Sequence, residues 1–420
     1  PITNTTTANI APDGSIRIFR WNLHFDDIKK VVIREGVTNI SVAVFKNCKQ
    51  LSEVEIANSV KYIGQEAFYG CSSLKEISIP KNVESIGYRA FGSCELLSTF
   101  DYDAANCSHE VYWFDDNTVI KTLYIGSDVK EIPKIRSIQT VIFKEGVTEI
   151  PREAFSGFAE LTAVRLPETL TRIGNEAFNN CKSIREITIP TGVIYIGWRA
   201  FGYCTSLEVV NFNSVNCGEL SYSCFEDSPV KKINVGIGVN ILPRLLTVEN
   251  VTFANGAVKV PDNAFSHCAK LTTVTLPDSI ETIGSHAFEY CEKLQNIELP
   301  QKLKIVGPAA FFACYNLRGA ELPSSVIRIE EGAFDNCTSL PNISIPNSVE
   351  HIGRYAFYGC VTAPEVVIPS NVKYIGFAAF GSCTALKEAT FNATNCDNNG
   401  NDIFYNSINL SSIKIGSNVT

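Results

Sequence analysis

Residues 60–82 read VKYIGQEAFYGCSSLKEISIPKN, and the same 23-residue phrase returns along most of the chain. Its pattern is V-x-x-I-G-x-x-A-F-x-x-C-x-x-L-x-x-I-x-I-P. The phenylalanine of the phrase marks the period. It falls at Phe45, Phe68 and Phe91, at Phe155, Phe178 and Phe201, and then at Phe265, Phe288, Phe311, Phe334, Phe357 and Phe380, every step within a run being 23. A fixed period of about 20–50 residues marks a stacked repeat, and it outranks any domain count drawn from length.

The gaps between runs follow a rule as well. The strand position steps by 23 through Ile33, Ile56, Ile79, Tyr102 and Ile125, then reaches Phe143 after 18. It repeats through Leu166, Ile189, Phe212 and Val235, and reaches Phe253 after 18 again. A module is therefore 110 residues, which is also the distance from Phe45 to Phe155 and from Phe155 to Phe265. The third module carries three extra units. The spacing predicts an atypical segment or cap over 1–30 and a single continuous solenoid over 31–420, in modules 31–140, 141–250 and 251–420. It gives about 18 coils. The short units, 126–143 and 236–253, lack the AFxxC segment. Gly416–Thr420 matches Gly236–Asn240, so a short unit begins where the sequence stops; the natural chain is expected to continue, or this end to pack on another molecule.

Within a unit the I-x-I stretch alternates, which predicts a short strand with both Ile side chains on the core. A proline follows and ends the ladder. Val60 and Ile63 suggest a second extended stretch, and Gly64 a tight turn. Ala67, Phe68, Cys71 and Leu74 share one face of a short helical segment. No unit can bury that face alone, but stacked neighbours can.

The 23-residue IGxxAFxxCxxLxxIxIPxxV unit resembles the BspA-like leucine-rich repeats of bacterial and protozoan surface proteins. The resemblance spans about 390 of the 420 residues. It departs at the two short units, at Phe158 where a cysteine is expected, and before residue 31. It implies a secreted or cell-surface protein that binds host matrix proteins or other cells.

Other totals narrow the function. The net charge is -8 and no Lys/Arg-rich run is present, which disfavours nucleic acid. No apolar stretch is long enough for a transmembrane helix. The chain opens PITNTTTANI without Met, as expected of a processed chain whose signal peptide has been removed. Sequons occur, for example at Asn4, Asn250 and Asn392.

Eleven of the 15 cysteines occupy one repeat position. A nucleophile needs one distinctive environment with a base beside it, so the repeated cysteines are expected to be reduced core residues. Cys107, Cys217 and Cys396 share a second position and are read as core too. Cys224 is unmatched, and a Cys217–Cys224 bridge is conceivable. His24, His109, His267, His286 and His351 fall at scattered phases, with no zinc spacing. No cofactor, metal site or catalytic residue is expected.

The middle residue of each I-x-I points away from the core. Most are small and polar, but Tyr124, Ile142 and Arg165 fall on consecutive coils and join an aromatic, an aliphatic and a cation. Tyr and Arg are the side chains that most often dominate interfaces, so these three form the first candidate ligand-binding site. The second is Tyr88, Trp198 and Phe377, which follow the glycine just before each irregular unit. The favoured reading is an extended, non-enzymatic recognition or adhesion protein with a protein or glycan partner. The alternative is a spacer that projects another domain and binds nothing itself.

Overall fold

The computed structural model describes residues 9–10, 16–17, 27–108, 112–394, 396, 402–417 and 419. His24, His109, Asn4 and most of the 1–30 segment lie outside them; within that segment Asn9–Ile10 pairs antiparallel with Ile16–Arg17. The chain divides into two compact units, 1–206 and 207–420. Each is a parallel β-solenoid, and the chain makes about 16 turns.

In the first unit, Glu76–Ile79, Thr99–Tyr102, Thr122–Ile125, Thr140–Phe143 and Ala163–Arg165 pair in that order. Their register is the sequence period. Ile79 faces Tyr102, and Ile125 faces Phe143 across the short unit. A one-residue slip would turn every Ile outward, so burial of one face locks the register. A second ladder follows each turn, as at Asn39–Ile40, Tyr62–Ile63 and Ser85–Ile86. In the second unit Val209–Phe212, Lys232–Val235, Asn250–Phe253 and Thr273–Thr275 repeat the main ladder. Farther along it thins to the isolated bridges Asn296–Gly319 and Ile343–Val366.

The expected helical segment does not form, and no α-helix occurs among the described residues. Residues two before and two after the marker phenylalanine have left-handed backbone, as at Glu66 (φ 52°) and Gly70 (φ 72°). An α-helix of L-residues cannot pass through such a residue. The donors alternate instead. Glu66, Phe68 and Gly70 give their N–H groups to Tyr88, Ala90 and Gly92 carbonyls of the next coil, while Ala67, Tyr69 and Cys71 bond three residues back. The segment is thus a third stacked ladder made of turns. Ala67, Phe68, Cys71 and Leu74 still share the buried side.

The glycine before this segment also differs from expectation. Its φ is not left-handed. A Cβ on Gly64 would lie 2.6 Å from the Val42 nitrogen, so close approach of the preceding coil, not turn geometry, requires glycine there.

The core runs along the stack. Phe265, Phe288, Phe311, Phe334, Phe357 and Phe380 form a column with ring centroids 5.2–5.6 Å apart. These are the near-parallel, offset contacts that aromatic quadrupoles favour.

Candidate functional site

The cysteines hold a specific place in this column. All fifteen are thiols, buried except for the half-buried Cys396, and Cys217 and Cys224 do not bridge. In nine coils the thiol donates to the carbonyl of the phenylalanine 26 residues earlier, at 3.0–3.4 Å. Cys268 donates to the Leu245 carbonyl instead, at 3.3 Å. In two irregular coils Thr118 and Ser407 take over, donating their hydroxyls to Phe91 and Phe380 carbonyls. Reading the slot as apolar bulk alone missed this bond. The replacement of cysteine by Thr118 and Ser407, one residue out of phase, was the signal for it. At Phe158 the slot is filled by a buried ring with the Arg136 guanidinium 5.0 Å from its centre. Burial pushes the thiols of Cys268, Cys314 and Cys383 up to about 12. A thiol held protonated is a poor nucleophile.

His267 stacks on Tyr290 and His351 on Tyr374, each at 4.7 Å. His286 Nδ1 lies 3.2 Å from the Glu289 carboxylate. Among the described residues no group of three His, Cys, Asp or Glu side chains is placed to hold a metal ion. Among the described residues there is no helix long and apolar enough to cross a membrane.

The sheet face brings the first candidate set together. Tyr124 faces Ile142 and Ile142 faces Arg165 in the ladder, on three adjacent strands. Arg165 is exposed, and Tyr124 and Ile142 are half-buried. Tyr124 also borders a depression of about 360 Å³ whose wall includes Glu53, Glu76, Ser78, Thr99 and Asp101.

A charged cluster flanks Tyr124. Lys144 reaches back across the Tyr124 coil and sets its Nζ 2.5 Å from Asp101 Oδ1 and 2.8 Å from Asp103 Oδ1. Burial pulls the ammonium pKa down, but the hydrogen bonds it donates to the two carboxylates outweigh it and hold it above its ordinary value. Gly126 makes the crossing possible, since a Cβ there would stand 2.1 Å from Asp103 Oδ1. The matching positions of the second unit are Asn211, Asn213, Asn234 and Ala254, and there Asn234 Nδ2 donates to Asn211 Oδ1 at 2.6 Å. The period could have found this cluster, because Asp103, Gly126 and Lys144 follow the strand at one repeated position.

The second candidate set lies on the turn ladder, away from the sheet face. Tyr88 and Trp198 are 46% and 43% exposed, each beside the next residue's guanidinium, with Arg89 at 5.2 Å and Arg199 at 4.2 Å. Phe377 is half-buried between Tyr355 and Tyr405, at 5.6 and 5.8 Å. Their backbone carbonyls accept from Glu66, Glu176 and Tyr355 of the preceding coils, so all three residues also belong to the stack.

Parallel ladders at a 23-residue period, an aromatic column and a buried thiol row define a leucine-rich-repeat solenoid. The chain belongs to the BspA type leucine rich repeat region family, whose profile matches residues 22–136, 133–246, 244–326 and 304–420. Among solved structures it is similar to a leucine-rich repeat protein from Bacteroides ovatus, with 24% identity, 98% of this chain and 93% of that chain covered, and a TM-score of 0.41. It is also similar to a leucine rich cell surface protein from Faecalibacterium prausnitzii, with 25% identity, 92% and 93% covered, and a TM-score of 0.30. The Pneumococcal vaccine antigen PcpA shares 17% identity over 82% of this chain and 78% of that chain, with a TM-score of 0.28. Curated proteins give no match.

Proposed function

We propose that this is a non-enzymatic recognition protein of the cell surface or extracellular space, which binds a protein or glycan partner through its sheet face at Tyr124, Ile142 and Arg165. The observation that carries this reading is the alignment of the three on adjacent strands. An aromatic, an aliphatic and a guanidinium are thereby gathered beside an acidic depression. Family membership supports the general role, since solenoids present long surfaces suited to macromolecules. The acidic balance favours a partner with a basic patch, mainly through faster encounter.

The test begins with a screen of the purified chain against immobilised matrix proteins, glycans and mucins. For any partner found, Tyr124→Ala and Arg165→Ala are expected to weaken binding at least tenfold, about 1.4 kcal/mol, with little change in melting temperature. Normal binding by both variants would end the sheet-face reading. An effect confined to Tyr88, Trp198 and Phe377 substitutions would move the site to the turn ladder. The spacer reading draws support from the small polar residues over the rest of the face, and it predicts indifference to every one of these changes.

A further inference from the structure

A second site, independent of the sheet face, lies in the unit 207–420. The short coil 236–253 lacks the turn segment, and a cavity of about 690 Å³ opens beside it, lined among others by Tyr222, Ile241, Arg244, Asp262 and His267. Its chemistry follows from the turn ladder. In a regular coil three N–H groups donate to three carbonyls of the next coil, as Glu66, Phe68 and Gly70 do to Tyr88, Ala90 and Gly92. The coil after the short one presents the same three carbonyls, on Asp262, Ala264 and Ser266, and the short coil has no N–H groups to meet them. None of the three accepts a hydrogen bond.

The unit 1–206 contains the same situation and resolves it within the chain. There the short coil is 126–143. Lys134 Nζ donates to the Glu153 and Ala154 carbonyls at 2.7 and 3.0 Å, and an Arg136 guanidinium nitrogen donates to the Ser156 carbonyl at 2.9 Å. Two cationic side chains thus replace the missing donors to Ala154 and Ser156, the counterparts of Ala264 and Ser266, while the Arg152 carbonyl, the counterpart of Asp262, accepts from neither. A module later these positions are Arg244 and Leu246. Arg244 takes the place of Lys134 but is exposed and donates to no carbonyl. Leu246 takes the place of Arg136, is 43% exposed and has nothing to donate.

We propose that this notch binds a guanidinium or ammonium group carried on an alkyl stem, seated where Arg136 sits in the first unit. The head donates to the Ser266 and Ala264 carbonyls, and the stem lies along Leu246 and Ile241. The Asp262 carboxylate lines the same cavity as Arg244 and is shared with Lys259 at 3.0 Å and the Ser285 N–H at 3.0 Å. Tyr222, 84% exposed, offers an aromatic face beside the head. Two sources have this chemistry, an arginine or lysine of a protein partner and a free polyamine.

The test is a methyl NMR titration of the whole chain with acetyl-Ser-Arg-Ser-amide, with spermidine, and with the norleucine tripeptide as control. Saturable shifts at Ile241, Leu245 and Leu246 are expected for a cationic probe, with Kd on the order of 1 mM or tighter, and none for the norleucine peptide. Tighter binding of the arginine peptide assigns the site to a protein partner, and tighter binding of spermidine to polyamines. Leu246→Arg fills the notch from within the chain and is expected to weaken probe binding at least tenfold. Leu246→Glu adds a counter-charge and is expected to tighten it about threefold, a readout that stands even if the arginine variant does not fold. The proposal is overturned by absent or non-saturable shifts, by equal shifts with norleucine, or by Leu246→Glu binding no better than the parent.

Discussion

At the residue scale the repeated cysteine is both filler and donor, and the two roles can be separated. Cys314 has no exposed surface, and its thiol donates to the Phe288 carbonyl at 3.1 Å. Cys314→Ala loses both the bond and the packing, and is expected to cost about 1–2 kcal/mol in urea denaturation. Cys314→Ser loses bulk but keeps a donor for the same carbonyl, as Thr118 and Ser407 do in their coils. It is expected to cost less than alanine. If serine is the worse replacement, the slot selects only for apolar volume. The sequence made the burial of this position legible, because eleven equivalent cysteines cannot each be a reactive centre. It did not reveal the bond, because the acceptor is a backbone carbonyl 26 residues away, set by the phase of stacking.

At the scale of the element, strands and register could be read from the residues, since a period of 23 with an alternating I-x-I leaves one way to pair. The turn segment could not. Ala67, Phe68, Cys71 and Leu74 share one side in a short helix and also in a row of linked turns. Only the left-handed residues distinguish the two, and at Glu66, Arg89, His286 and Tyr355 they are not glycines. The short coils test the turn-ladder account directly. Lys134→Ala leaves the Ala154 carbonyl without a donor, while the Glu153 carbonyl keeps the Ser156 N–H, and is expected to cost about 1 kcal/mol by thermal denaturation. Arg244→Ala removes no hydrogen bond and is expected to be nearly neutral. Equal effects from the two would contradict the claim that Lys134 substitutes for missing backbone donors. Of the candidate site, the alignment of Tyr124, Ile142 and Arg165 followed from the period. The period also places Asp103, Gly126 and Lys144 at one repeated position, but that Lys144 reaches across the middle coil to both Asp101 and Asp103 is shown by the side-chain contacts.

At the scale of the whole molecule, the thiol rows make stability depend on alkaline pH. The folded state holds the thiols of Cys268, Cys314 and Cys383 protonated up to about 12, against an ordinary value of 9.0, and those of Cys107 and Cys217 up to about 11. Between these limits the folded chain binds more protons than the unfolded one, so stability falls as pH rises. It is fully present below pH 9 and is lost progressively up to pH 12. Each such thiol contributes a slope of about 1.4 kcal/mol per pH unit within its window. Circular dichroism against pH is expected to show a steep unfolding transition above about pH 9. A variant with Cys268, Cys314 and Cys383 all changed to Ala is expected to have a shallower one, even though it is less stable at neutral pH. An unchanged slope would remove the thiols as its cause.

The phase-locked stacking of each coil on its neighbour also governs how such a gene can change length. Every coil of the second unit from Phe265 to Phe380 offers the same ring and carbonyl to the next, so one can be lost or copied with the column closing over the seam. A gain or loss of 23 codons preserves all of these contacts at once. A gain or loss of 22 keeps the reading frame and still turns every inward side chain beyond it to the wrong side. The three extra repeats of the last module have the form that such whole-coil copying leaves behind, and length variants of such a gene are expected to differ in steps of one coil.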